Sequence, residues 1–197
     1  PRGSGWRSSS SSRRAGRRKG ATTGGSGEPF TVVALPDIQN YTNRTRGPMI
    51  AQQTTWIAAQ RAAMNTQFVV QLGDLVASWD FAGHWPWASD GLKVLEDRRV
   101  PYAIVPGNHD FDNATGAFTE YDRWFPVSRL ANAARTPSTA SYGGYMGQDQ
   151  FGDDPVDRRN MNNYSLFSAG GVDWLVLGLE WEAPAVALAW AARVLAA

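Results

Sequence analysis

Cysteine is absent from this 197-residue chain. That excludes disulfides, thiolate metal sites and cysteine nucleophiles, and it leaves the redox compartment open. Histidine is scarce, with only His84 and His109 present. No apolar run approaches the roughly 18 residues of a membrane-spanning helix. No signal peptide is visible, and a first residue that is Pro rather than Met leaves room for a lost leader. Acidic residues are missing from positions 1–27, which carry Arg2, Arg7, Arg13, Arg14, Arg17, Arg18 and Lys19 and hence a charge of +7. The net charge of +1 therefore hides a split, because residues 28–197 sum to −6.

Residues 1–28 are Ser, Gly, Arg and Thr with almost nothing apolar except Trp6. Such a segment cannot bury enough surface to offset its ordering entropy, so it reads as a disordered basic tail or linker. A contact to nucleic acid is not expected, since the acidic body would repel what the tail attracted. Residues 29–197 hold aromatics in abundance, nine Trp among them in the whole chain, and are long enough for one domain with a core.

Apolar, β-branched runs at 30–35 (FTVVAL), 67–72 (QFVVQL) and 102–105 (YAIV) read as buried strands. Between them, 48–64 opens with a proline suited to a first helical turn, and Trp85, Ala88, Leu92 and Leu95 recur at helical spacing. Strand, helix, strand, helix, strand predicts a parallel sheet. Residues 111–162 lack clear periodicity apart from a helix expected over 116–124. Strands at 163–167 and 172–179, joined by Ala169-Gly170-Gly171, predict a hairpin. Residues 185–197 read as a helix with Val186, Trp190 and Val194 on one side. No cap or closing strand follows, so the chain reads as truncated there.

Polar residues gather where the first three strands end. Asp37 and Gln39 follow the first, Asp74 the second, and Asn108, His109 and Asp110 the third. Ligand sites of open α/β sheets lie at such carboxyl ends. Asp37, Gln39, Asp74 and Asn108 are hard oxygen donors, suited to Mg, Mn or Fe. His109, next to Asn108, is placed to face a substrate as a general acid, with Asp110 holding its ring by a hydrogen bond.

Asp37-Ile38-Gln39, Gly73-Asp74-Leu75-Val76 and Gly107-Asn108-His109-Asp110, in this order and each after an apolar strand, resemble the calcineurin-like metallophosphoesterase superfamily. The family pattern is DxH, GDxx and GNH[DE], then a later His and GHxH. Gln39 in place of the first His resembles a bacterial subgroup, as does the hairpin NNYSLFSAGGVDWLVLGLEW. The resemblance covers residues 30–197. It implies an α/β metallophosphoesterase sandwich, a βαβαβ start plus the later hairpin, with the C-terminal part lacking. It implies two metal ions (Mn, Fe, Zn or Mg) and hydrolysis of a phosphoester substrate by a metal-bound hydroxide. Asp37 and Gln39 would bind the first metal, Asp74 both, and Asn108 the second. His109 would protonate the leaving oxygen, and Asp110 would orient His109. The later His and GHxH are not in the sequence, so this chain is expected to be an N-terminal fragment, inactive alone. The alternative is a non-catalytic binding or scaffold module with an incomplete metal shell. The subgroup leans towards the cell envelope or secretion, and the oligomeric state is open.

Weighed singly, Asp37, Gln39 and Asp74 are ordinary turn and strand-end residues; the ordered set gives them meaning. His84 reads as a surface or packing residue, and Glu180 and Glu182 as solvated acids. The aromatics of 111–151 read as core and lid packing, and Asn40 and Tyr41 as neighbours of the site.

Overall fold

A computed structural model describes residues 27–133, 139–152 and 154–197. The basic tail predicted for 1–28 lies outside these residues except for its last two positions. Three parallel strands come first: β1 (Thr31–Leu35), β2 (Thr66–Gln71) and β3 (Tyr102–Ile104), in the order β1-β2-β3. They are linked by helices α1 (Gly47–Gln60) and α2 (Trp85–Asp97). A second sheet is antiparallel, from β4 (Ala140–Met146), β5 (Arg159–Ala169) and β6 (Val172–Gly178), in the order β4-β5-β6. Short helices α3 (Thr119–Trp124) and α4 (Val127–Ala133) precede it, and α5 (Ala185–Ala196) follows it.

Residue alternation along the strands sorts the core into layers. Val69, Tyr102 and Ile104 pack with Ile50, Ile57, Leu92 and Leu95 of the two helices. On the other face of the same sheet, Phe68 and Ala103 meet Phe167 and Ala169 of β5. The Phe68 and Phe167 rings stack at 5.1 Å. Tyr164, next to the inward-facing Asn163 and Ser165, turns the opposite way onto Trp190 of α5. The result is a helix–sheet–sheet–helix sandwich, the α/β architecture that the resemblance implies. Among the described residues no helix is long and apolar enough to cross a membrane.

The parallel sheet, its two helices and the hairpin form where expected. The hairpin turns on Gly170 and Gly171, both at positive φ (61° and 80°), the conformation a tight two-residue turn needs. Three expectations need correction. Helix α1 ends at Gln60, short of 64. The described residues within 111–162 hold more regular structure than their pattern predicts, because they supply α3, α4, β4 and the start of β5. On α5, Val186 is exposed, and the packed side is Ala187, Trp190, Ala191 and Val194.

Helices α1 and α2 approach closely enough to share a hydrogen bond, from Thr54 Oγ1 to the Gly91 carbonyl at 2.7 Å. A Cβ on Gly91 would overlap Ile50 Cγ2, and Ile50 is 1% exposed, with no room to move. Gly91→Ala gains about 1 kcal/mol of helix propensity but overpacks a closed contact, which costs about 1–3 kcal/mol. The expected outcome is net destabilisation of up to about 2 kcal/mol, read from the urea unfolding midpoint.

Candidate metal centre

The carboxyl ends of β1, β2 and β3 come together as one wall. Backbone proximity is what joins them. A Cβ on Gly73 would lie 2.7 Å from the Gly107 nitrogen, and one on Gly107 would overlap the Asp74 carboxylate. Only glycine lets the β2 and β3 turns touch in this way. Gly73 and Asp74 both take positive φ, 93° and 52°. For aspartate this left-handed conformation is unfavourable, and such outliers gather at functional sites. The Ile38 N–H donates to the Asp74 carbonyl at 3.1 Å, tying the β1 turn to the β2 turn.

Each predicted site residue lies on this wall. Asp37 is exposed, and its Oδ1 accepts the Gln39 backbone N–H at 2.8 Å. The Gln39 Nε2 donates to Asp37 Oδ2 at 2.8 Å and reaches Asp74 Oδ2 at 3.5 Å. Asp74 Oδ1 accepts the His109 backbone N–H at 3.1 Å. Asn108 lies on the same turn, between Gly107 and His109, and its carbonyl accepts from Asn113 Nδ2 at 2.6 Å.

Asp110 departs from expectation. Its carboxylate does not reach the His109 ring. Buried to 1% exposure, it accepts from the Leu75 N–H at 3.0 Å, the Val76 N–H at 3.0 Å and the Gly107 N–H at 2.8 Å. Its work is to clamp the β2 turn to the β3 turn. The imidazole is held instead by the Ala77 carbonyl, 3.0 Å from Nδ1. That partner puts the Nδ1 proton on the carbonyl side and leaves Nε2 as the free ring position. Burial pushes the Asp110 carboxyl up to about 7, against the pull of its three amide donors and with some help from the Asp74 charge.

Behind the wall, β5 supplies a row of buried amides that sequence reading missed. Asn163 Nδ2 donates to the Ile104 carbonyl, the last residue of β3, at 2.9 Å, and to the Asn160 carbonyl at 2.9 Å. Asn160 Nδ2 donates to the Phe125 carbonyl at 2.7 Å. The only signal in the sequence is three asparagines within a strand-like run. Glu180 is not solvated. It is 5% exposed, ion-paired with Arg158 and bonded by Asn162 Nδ2 at 2.7 Å. Arg158 also donates to the Gly116 carbonyl at 3.1 Å, so this pair ties the segment after the β3 turn to the end of β6. Glu182 is exposed, and His84 packs against the edge of Phe81 as a packing residue does. Tyr121 and Phe125 belong to the core, and Tyr41 packs against it.

The donors present are two carboxylates and two carboxamides, all oxygen, which fits a hard cation. The Gln39 amide group standing between two carboxylates marks a point where positive charge is favoured. Among the described residues no three His, Cys, Asp or Glu side chains gather around one point, so the carboxamides would have to share in any coordination.

A sequence profile described as calcineurin-like phosphoesterase matches residues 30–191. The chain belongs to that family. The match runs from β1 into α5 and includes the whole wall just described. Family members are metal-dependent hydrolases of phosphate esters. The chain is also similar to YvnB of Bacillus subtilis (strain 168), an uncharacterized protein, at 25% identity over 166 residues. That similarity covers 84% of this chain but only 12% of the length of YvnB.

The Asp110 clamp leads to a prediction for the metal-free protein. In Asp110→Asn one oxygen becomes an NH2 facing an N–H donor, which costs about 1–3 kcal/mol. The carboxyl's raised pKa means that its contribution is fully present below the ordinary value of 3.8 and is lost as pH rises through about 7. The stability advantage of wild type over Asp110→Asn is therefore expected to be largest near pH 4 and to shrink towards pH 7, in urea unfolding run across that range.

Proposed function

We propose that this chain carries part of a two-metal phosphoesterase site whose remaining ligands come from outside residues 27–197. One observation carries the reading: Asp37 Oδ2 and Asp74 Oδ2 are both directed at a single point beside the His109 turn, occupied by an amide NH2. Asp37 and Gln39 would hold one cation, Asp74 would serve both, and Asn108 would serve the second. Bound cations would supply charge neutralisation at the phosphoryl oxygens and a water acidic enough to attack phosphorus.

The chain's own residues do the rest. With Nδ1 donating to the Ala77 carbonyl, the imidazole of His109 presents Nε2 to the substrate side. A proton held there passes to the leaving oxygen as the ester bond breaks. The Ala77 carbonyl steadies the charged ring while it waits. Asp110 keeps the turns of Asp74 and His109 in register, so that donor and acceptor groups keep their positions without moving during reaction.

Four side chains fall short of two full shells for hard cations, which take six or more ligands each. Each sheet has only three strands among the described residues, and Val32 on the β1 edge and Trp174 and Leu175 on the β6 edge are exposed. Both facts support a domain completed by further segments of a longer protein, as does the small share of YvnB that the chain spans. A second reading, a non-catalytic module of the same fold, is favoured by the lack of a three-residue His/Asp/Glu cluster among the described residues.

The test uses the parent protein loaded with Mn2+ and an aryl phosphate ester. His109→Ala is expected to lower kcat by about 10²–10⁴-fold with little change in KM. Asp74→Asn is expected to abolish bound metal as measured by elemental analysis. A metal-loaded parent without esterase activity, or one indifferent to His109→Ala, supports the binding module instead.

A further inference from the structure

The two carboxylates of the wall are each half engaged by backbone. Asp37 Oδ1 accepts from the Gln39 N–H, and Asp74 Oδ1 from the His109 N–H. The oxygen left over on each, Oδ2 in both cases, faces Gln39 Nε2, at 2.8 and 3.5 Å. A carboxamide NH2 carries two N–H bonds and so serves two acceptors at once. Its oxygen, turned to the same place, would face two carboxylates with nothing to accept. The polarity of the group is thus set by its neighbours, and the donor end occupies the place where a cation between these oxygens would sit.

We propose that Gln39 works in two positions. In the cation-free protein its NH2 end holds Asp37 and Asp74 together. When a cation binds, the amide turns about half a revolution on its terminal torsion and presents Oε1 as a neutral oxygen ligand. This rests on the phosphoesterase reading of the site and adds a specificity to it. Imidazole favours Zn, Cu, Ni and Fe, whereas carboxamide and carboxylate oxygens favour Mg, Mn and Ca. An imidazole also has one N–H per nitrogen, so it cannot bridge both carboxylates through one atom. Gln39 therefore does two things that a histidine at this position cannot. It keeps the empty pocket assembled, and it tilts the first cation position towards a hard divalent ion.

The experiment uses the same parent protein, stripped with EDTA. Calorimetric titrations with Mn2+ and with Zn2+ are compared for wild type, Gln39→His and Gln39→Glu. Gln39→His is expected to shift the Mn/Zn affinity ratio towards Zn by about tenfold or more, the scale on which changes around a metal move its affinity. Gln39→Glu places a third carboxylate in the pocket without a donor. It is expected to lower the cation-free Tm, to bind Mn2+ more tightly than wild type, and to recover its Tm when saturated. In 15N-labelled wild type, the side-chain NH2 signals that vanish in Gln39→His are expected to shift on saturation with Mg2+. A ratio unchanged within about twofold, together with NH2 signals that stay put, overturns the proposal. Two failures are separable. A parent protein that binds none of these cations sinks the phosphoesterase reading and this proposal with it. A parent protein that binds them, loses them in Asp74→Asn and ignores every change at Gln39 sinks this proposal alone.

Discussion

A buried carboxylate holds the site together. Asp110 takes three backbone N–H groups, two from the turn after β2 and one from its own turn after β3. Without it, the Leu75 and Val76 amides would be buried with no acceptor, at a cost of about 1–3 kcal/mol each. The glycine contact between the two turns then brings Asp74 against the His109 amide. Asp74, Asn108 and His109 hang from these two turns, and the β1 turn of Asp37 and Gln39 is tied to them through the Ile38 N–H and the Asp74 carbonyl. The clamp acts on backbone, so it fixes where the side chains start rather than where they end.

The second sheet is more than cover for the first. Between two apolar layers one expects apolar residues, yet β5 turns Asn160 and Asn163 inward. Their amides donate to the carbonyls of Phe125 and Ile104. Gly178 of β6 packs where any side chain would collide with Val105, directly before the site turn. Buried polar groups of this kind add little net stability but penalise every other register. A one-residue slip of β5 would strand each amide and turn Phe167 away from Phe68.

Much of this was legible in the chain, for reasons that can be stated. Strands β1, β2 and β3 are short apolar runs that break at Pro or Gly, and α2 repeats its large residues at helical spacing. The ordered DIQ, GD and GNHD turns then located the wall. Strand β4 was hidden because Gly143 and Gly144 interrupt its alternation, and α4 because seven residues carry too little period. Asp110 was misassigned because sequence adjacency pointed to His109, whereas the fold delivers amides from 34 and 35 residues upstream. The Ala77 carbonyl left no trace, since a backbone acceptor has no residue signature. Glu180 looked solvated because its partner Arg158 lies 22 residues away.

Those separations have a kinetic meaning. The bonds that assemble the wall join residues 34 and 35 apart, and the amide that braces β3 reaches it from 59 residues further on. Contacts between distant parts of a chain form late, because their loops must close before the contact gives anything back. Helices α1 and α2 rest on local contacts and can appear early. The pocket cannot, since it exists only once β2, β3 and β5 have all docked. During synthesis, a cation would find nothing to hold until most of the chain had emerged, so metal uptake would mark the end of folding rather than guide its beginning.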